Sequence, residues 1–241
     1  MIWRHLATID GALPWAWGPL RPLYADGSVI SVATALHKEL ILPPMPAIPA
    51  DVFAGLGLRP DDLTPIRDVL AAYDHTNAMA VVAPTALRAR LDGRTPHASG
   101  AAEPAPVAAA ARTGLPKLLK LTDVQAETAK LVTALNGLGT RRPGAVLASM
   151  YRHLAHWPSY LSVAWLLLAP LDSDGRLASA VQQAQGAASV RADRLLVRLI
   201  DSAASPPPQL AAKISMAIEP FADDVIIKML VIGAFLRRVT A

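Results

Sequence analysis

Few side chains in this chain are both reactive and grouped. Zero cysteines exclude thiolate metal ligands, disulfides and cysteine nucleophiles, so any metal would rest on six histidines and 19 carboxylates. His153 and His156 lie one helical turn apart, but no carboxylate stands at a metal-motif spacing from them, and no metal is expected. Arg4 and Arg152 could hold a substrate carboxylate or could bind carbonyls at a helix C-terminus. Asn77 follows Asp74 and Thr76, so it either caps the helix after it or offers its amide to a ligand. There is no Gly-rich phosphate loop, no Gly-x-Ser-x-Gly elbow and no nucleotide fingerprint, and no cofactor is expected.

The elements that must position these residues come in two copies. Residues 3–37 and 151–185 align without a gap at an offset of 148, with about 13 of 35 positions identical. Arg4/Arg152, His5/His153, Leu6/Leu154, Trp17/Trp165, Pro22/Pro170, Asp26/Asp174 and Gly27/Gly175 are among the matches. A histidine repeated by duplication points to a structural role shared by both copies, and the repeated tryptophans read as core. At an offset of 149 the closing segments also match, Asp74 with Asp223, Leu87 with Leu236 and Arg88 with Arg237.

Apolar residues recur every three or four positions almost throughout, and no period-two pattern persists long enough for a sheet. The fold class read from this is all-α, two similar helical units in a pseudo-two-fold arrangement. Helices are predicted over 28–40, 65–73, 77–91, 123–136, 146–155, 160–171, 178–200, 209–218 and 224–239, with the sixth stopped by Pro170 and the Asp-Ser-Asp-Gly turn at 172–175. Residues 1–92 form the first repeat, 93–117 an Ala/Pro-rich linker with a helical stretch over 107–112, and 118–241 the second repeat. The second repeat is preceded by the amphipathic stretch 123–136, for which the first has no counterpart. The first repeat is therefore expected to be incomplete at its N-terminus, with apolar surface around Ile2, Trp3 and Leu6 covered by self-association into a homo-oligomer.

The composition sets aside other classes. A net charge of +4 arises from scattered arginines without a Lys/Arg block or interleaved aromatics, so nucleic acid is not an expected partner. Arg141 and Arg142, beside Pro143, read as a solvated loop. The longest apolar stretch, 157–171, is shorter than a bilayer requires and carries two prolines. No membrane span and no signal peptide are read, and the expected location is cytoplasmic.

The segments WRHLATIDGALPWAWGPLRPLYADG, MYRHLAHWPSYLSVAWLLLAPL and TNAMAVVAPTAL resemble the group I 2-haloacid dehalogenases, all-helical enzymes acting on both D and L 2-haloalkanoic acids. The resemblance implies two similar helical halves and hydrolysis of a carbon–halogen bond without an ester intermediate. A carboxylate of the second half would activate water, and an Asn of the first half, matched by Asn77, would assist. The family's aspartate immediately precedes the Tyr-Arg that opens the second copy. Here that segment reads Ala148-Ser149-Met150-Tyr151-Arg152, so Met150 stands where the base is expected. The resemblance further assigns Ala148, Ser149, Tyr151 and Arg152 to binding of a small 2-substituted carboxylic acid. Loss of a general base is worth roughly 100-fold or more, which leaves two expectations: a hydrolase using another acid such as Asp123, Glu127, Asp172 or Asp174, or an inactive relative that binds a small acid or serves as a scaffold.

Overall fold

The computed structural model describes residues 2–97, 100, 103, 105, 114–139, 146–200 and 205–241. Among these residues every regular element is helical and no strand occurs. In chain order they are α1 (Ile2–Leu6), α2 (Ala12–Ala25), α3 (Ser28–Lys38), α4 (Ala50–Gly55), α5 (Pro60–Leu91), α6 (Ala126–Gly137), α7 (Ser149–Leu154), α8 (Pro158–Ser173), α9 (Arg176–Ile200), α10 (Pro208–Pro220) and α11 (Ile226–Val239). A 3-10 turn at Leu121–Asp123 precedes α6, and a π-helical turn, Phe221–Val225, joins α10 to α11. The expected helix over 107–112 and the Arg141-Arg142 loop lie outside the described residues.

Local chemistry explains the matched turns. Gly27, at φ +81°, and Gly175, also at φ +81°, occupy the left-handed region that disfavours a Cβ. In each turn the preceding aspartate caps the next helix: Asp26 Oδ1 accepts from the Ser28 N–H at 2.9 Å, and Asp174 Oδ1 from the Arg176 N–H at 3.0 Å. Gly27 has a second constraint, because a Cβ there would collide with the Ala105 carbonyl oxygen.

Several expected boundaries are corrected. The segments 65–73 and 77–91 are not a helix pair but parts of one 32-residue helix, α5. Asp74, His75 and Thr76 read as a cap-like break, but none is a glycine or proline, and Thr76 Oγ1 donates back to the Ala72 carbonyl at 2.8 Å inside the helix. Pro170 does not itself stop α8, which runs two residues past 171 to Ser173 and ends within the expected 172–175 turn. Helix α7 begins at Ser149 rather than 146, and α4 was not anticipated. The apolar surface expected around the start of the chain is not exposed: Ile2 and Leu6 are buried, Trp3 meets Trp17 edge-on at 5.3 Å, and the argument for self-association that rested on that surface lapses.

The contacts divide the chain into two compact units of three segments each. The first contains Met1–Leu40, Asn77–Ala110 and Gln183–Ile227. Here α1 packs on α2 and α10, and α2 on α3 and α10, around Leu6, Leu20, Leu36, Leu87, Leu196 and Ile218, all without exposed surface. The second contains Ile41–Thr76, Ala111–Gln182 and Lys228–Ala241. In it α6 packs on α7 and α8, and α7 on α8, around Tyr151, Leu135, Leu168, Leu70 and Leu236; Phe53 lies against Tyr160 at 6.3 Å. Lys228 is fully buried in this unit and donates from Nζ to the Asn136 carbonyl at 2.6 Å, one of the last carbonyls of α6. Trp17 and Trp165 are half-buried, not core residues as the repeat suggested; Trp17 packs against Trp3 and Tyr24.

Candidate functional site

Helix α7, in the second unit, carries most of the residues singled out by sequence. Ala148, just before it, is fixed by its own backbone: its N–H donates to Asn136 Oδ1 at 2.9 Å, so the end of α6 orients the start of α7. Ser149 is half-buried, Met150 is 1% exposed, and Tyr151 is fully buried. The Tyr151 hydroxyl has no hydrogen-bond partner, and burial, with Tyr160 nearby, raises its pKa. Arg152 is half-buried and donates from Nε to the Leu119 carbonyl at 2.7 Å. One arm of the guanidinium is therefore committed to backbone, though not to a helix end. Asn77 is buried within α5 and belongs to the first unit, in a helix interior and not at a cap.

Tyr73 and His153 complete the group in the second unit. Tyr73 Oη and His153 Nδ1 are 2.9 Å apart, with the rings 5.7 Å between centres. Burial pushes the Tyr73 phenol up to about 12, opposed by a hydrogen bond from the Ser149 side chain and by the Arg152 charge. Burial, followed by His156 and Arg152, holds the His153 imidazole below its ordinary value. A neutral imidazole with its proton on Nε2 accepts from the Tyr73 hydroxyl at Nδ1. Ser149, Arg152, Tyr73 and His153 thus bring hydroxyl, guanidinium and imidazole groups together with no carboxylate among the four, a donor-rich set suited to an anion.

The acids considered as substitute bases are engaged in structural roles or stand apart. Asp172 Oδ1 accepts from the Gly139 N–H at 2.7 Å, Asp174 caps α9 and pairs with Arg176, and Glu127 pairs with Lys130 on the exposed face of α6. Asp123 is exposed and accepts from the Thr122 hydroxyl. His156 is exposed, with Nε2 2.8 Å from the Lys117 carbonyl. Among the described residues, no three His, Asp or Glu side chains are grouped so as to hold a metal ion. Among the same residues no helix is long and apolar enough to cross a membrane.

Tyr73 was not singled out by sequence because its partner is 80 residues away. No pattern in the single sequence marked it. Neither a family model nor a curated protein matches the chain.

Proposed function

We propose that this protein is a cytoplasmic relative of the group I 2-haloacid dehalogenases that binds a small 2-substituted carboxylic acid and hydrolyses its C2–halogen bond poorly or not at all. One observation carries the reading: Met150, at the position where that resemblance expects the base, is buried at 1% exposure in the helix that also carries the donors Ser149 and Arg152. A thioether accepts no proton at neutral pH, so water there lacks a general base, whereas an acid's carboxylate would find hydroxyl and guanidinium donors. The reaction implied needs neither metal nor cofactor.

The duplication belongs to the same proposal, and several paired features support it. A shift of 148 residues places the end of α1 on the end of α7, the end of α2 on the end of α8, and the start of α3 on the start of α9. The same shift places Pro60–Leu91 on residues 208–239, the span of α10, the π-helical turn and α11. The offset rises to 149 within that turn, which fits a single inserted residue absorbed as a π-bulge. Counterparts also keep their contacts: His5 lies 6.4 Å from Phe221 in the first unit, as His153 lies 5.7 Å from Tyr73 in the second. Arg88 pairs with Asp223 in one unit and Arg237 with Asp74 in the other.

Halide release from 2-chloropropionate, measured beside calorimetric binding of the same acid, tests the function. Wild-type protein should bind with little release, and Met150→Asp should raise release. Robust wild-type turnover unaffected by replacing Met150 would remove the reading, as would failure to bind the acid at all.

A further inference from the structure

The first unit holds a cavity of about 260 Å³ lined by the second half of α5, by α9 and by the π-helical turn. It includes neither Asn77 nor any residue of 148–152, and its walls are charged. Arg88 and Arg94 line it with Asp92 and Asp223. Arg88 pairs with Asp223, and its Nε lies 3.8 Å from Asp92. Arg94 pairs with Asp193 and donates from Nη1 to Ser189 Oγ at 2.7 Å. Ala89 and Ala188 contribute a small apolar floor.

Size, charge and asymmetry bear on the occupant. The volume falls below the roughly 300–1,000 Å³ of drug-sized sites, so a small metabolite suits it. The Arg88, Arg94, Asp92 and Asp223 side chains keep 34%, 29%, 58% and 34% of their surface exposed, and all four remain reachable. A ligand of one sign would meet two like charges along with two unlike ones, whereas only a molecule carrying both signs can oppose all four with a complement. The repeat counterpart of Ala89 is Arg238, whose guanidinium lies 5.7 Å from the Phe235 ring centre and bonds the Pro43 carbonyl. On the duplication reading above, a long side chain stands in the second repeat where alanine leaves room in the first.

We infer that this cavity is a binding site for a small aliphatic α-amino acid. Arg88 and Arg94 meet its carboxylate, Asp92 and Asp223 meet its ammonium, and its side chain lies over Ala89 and Ala188.

Titration calorimetry on the intact chain tests this with L-valine, 3-methylbutanoate and isobutylamine, the last two being valine without its ammonium and without its carboxylate. Valine alone should bind saturably. Asp92→Asn should weaken it at least about tenfold, and Gln185→Phe, which fills the cavity from a half-buried lining position without touching the ion pairs, should abolish it. Unchanged circular dichroism of both variants keeps folding out of the comparison. Binding of either single-charge analogue as tightly as valine would overturn the inference. So would the absence of saturation at millimolar valine, or wild-type affinity in both variants. Halide release and Met150→Asp play no part in these measurements, so either proposal can fail without the other.

Discussion

Met150 is a core residue as well as the residue at an expected catalytic position, and the two roles pull its substitutions apart. Met150→Leu conserves volume and should cost less than about 1.5 kcal/mol. Met150→Asp places a carboxylate in a nearly sealed position, which costs several kcal/mol unless Arg152 or a hydroxyl compensates. Its urea midpoint should therefore fall well below that of Met150→Leu, and equal midpoints would show that position 150 is more open than its burial indicates. His153 supplies a pH-dependent term. The unfolded chain takes up that proton near about pH 6.5, and burial with His156 and Arg152 lowers the folded value. Between the two values the unfolded state binds more protons, so stability falls as pH falls. His153→Gln should therefore lose less of its unfolding midpoint than wild type between about pH 7.5 and 5.5; parallel curves would contradict the cause assigned to the shift. The local spelling from Ala148 to Arg152 was enough to single out that segment. The Tyr73 hydroxyl was not legible, because a contact across 80 residues leaves no trace in the pattern of a single chain.

At the scale of elements, helix type was legible and helix continuity was not. Apolar periodicity identified most of the helices, and the Asp-Gly turns at 26–27 and 174–175 were placed correctly because a cap and a left-handed glycine act within three residues. The interior of α5 misled because Asp, His, Thr and Asn in succession resemble a cap, whereas packing of Leu70 before them and Val81 and Val82 after them holds the helix through. Pro170 misled in the same direction, since a proline in the last turn of α8 removes one bond where the helix is about to end. Continuity of α5 makes a sharp distinction at exposed Thr76. Thr76→Ala should be neutral or stabilising by about 0.5 kcal/mol, and Thr76→Pro should cost about 3 kcal/mol or more. A break between two helices would tolerate the proline, so near-equal unfolding midpoints for the two variants would argue against one continuous helix.

Each of the two units holds an Arg–Asp pair, the two are buried unequally, and that inequality gives a test of what each contact does. Arg88 and Asp223 both have side chains 34% exposed, while Arg237 is 54% exposed and its partner Asp74 only 3%. The same residue types therefore make a half-solvated pair in the first unit and a pair with a nearly sealed carboxylate in the second. Aromatic contacts differ too: Tyr73 meets His153 through a hydroxyl in the second unit, whereas Phe221 beside His5 in the first has none to offer. For the ion pairs the energetic consequence follows from solvation. Removing an arginine from a solvent-screened pair costs about 1 kcal/mol or less, whereas stranding a buried carboxylate costs about 3 kcal/mol or more. Arg237→Met should therefore lower stability well beyond Arg88→Met in urea unfolding of the intact chain. Adding Asp74→Leu to Arg237→Met should recover part of the loss, because the buried carboxylate that lost its arginine is then gone. Equal costs for the two arginine variants, or a double variant weaker than Arg237→Met alone, would mean that burial of Asp74 is offset by its other contacts and that the two pairs are energetically alike.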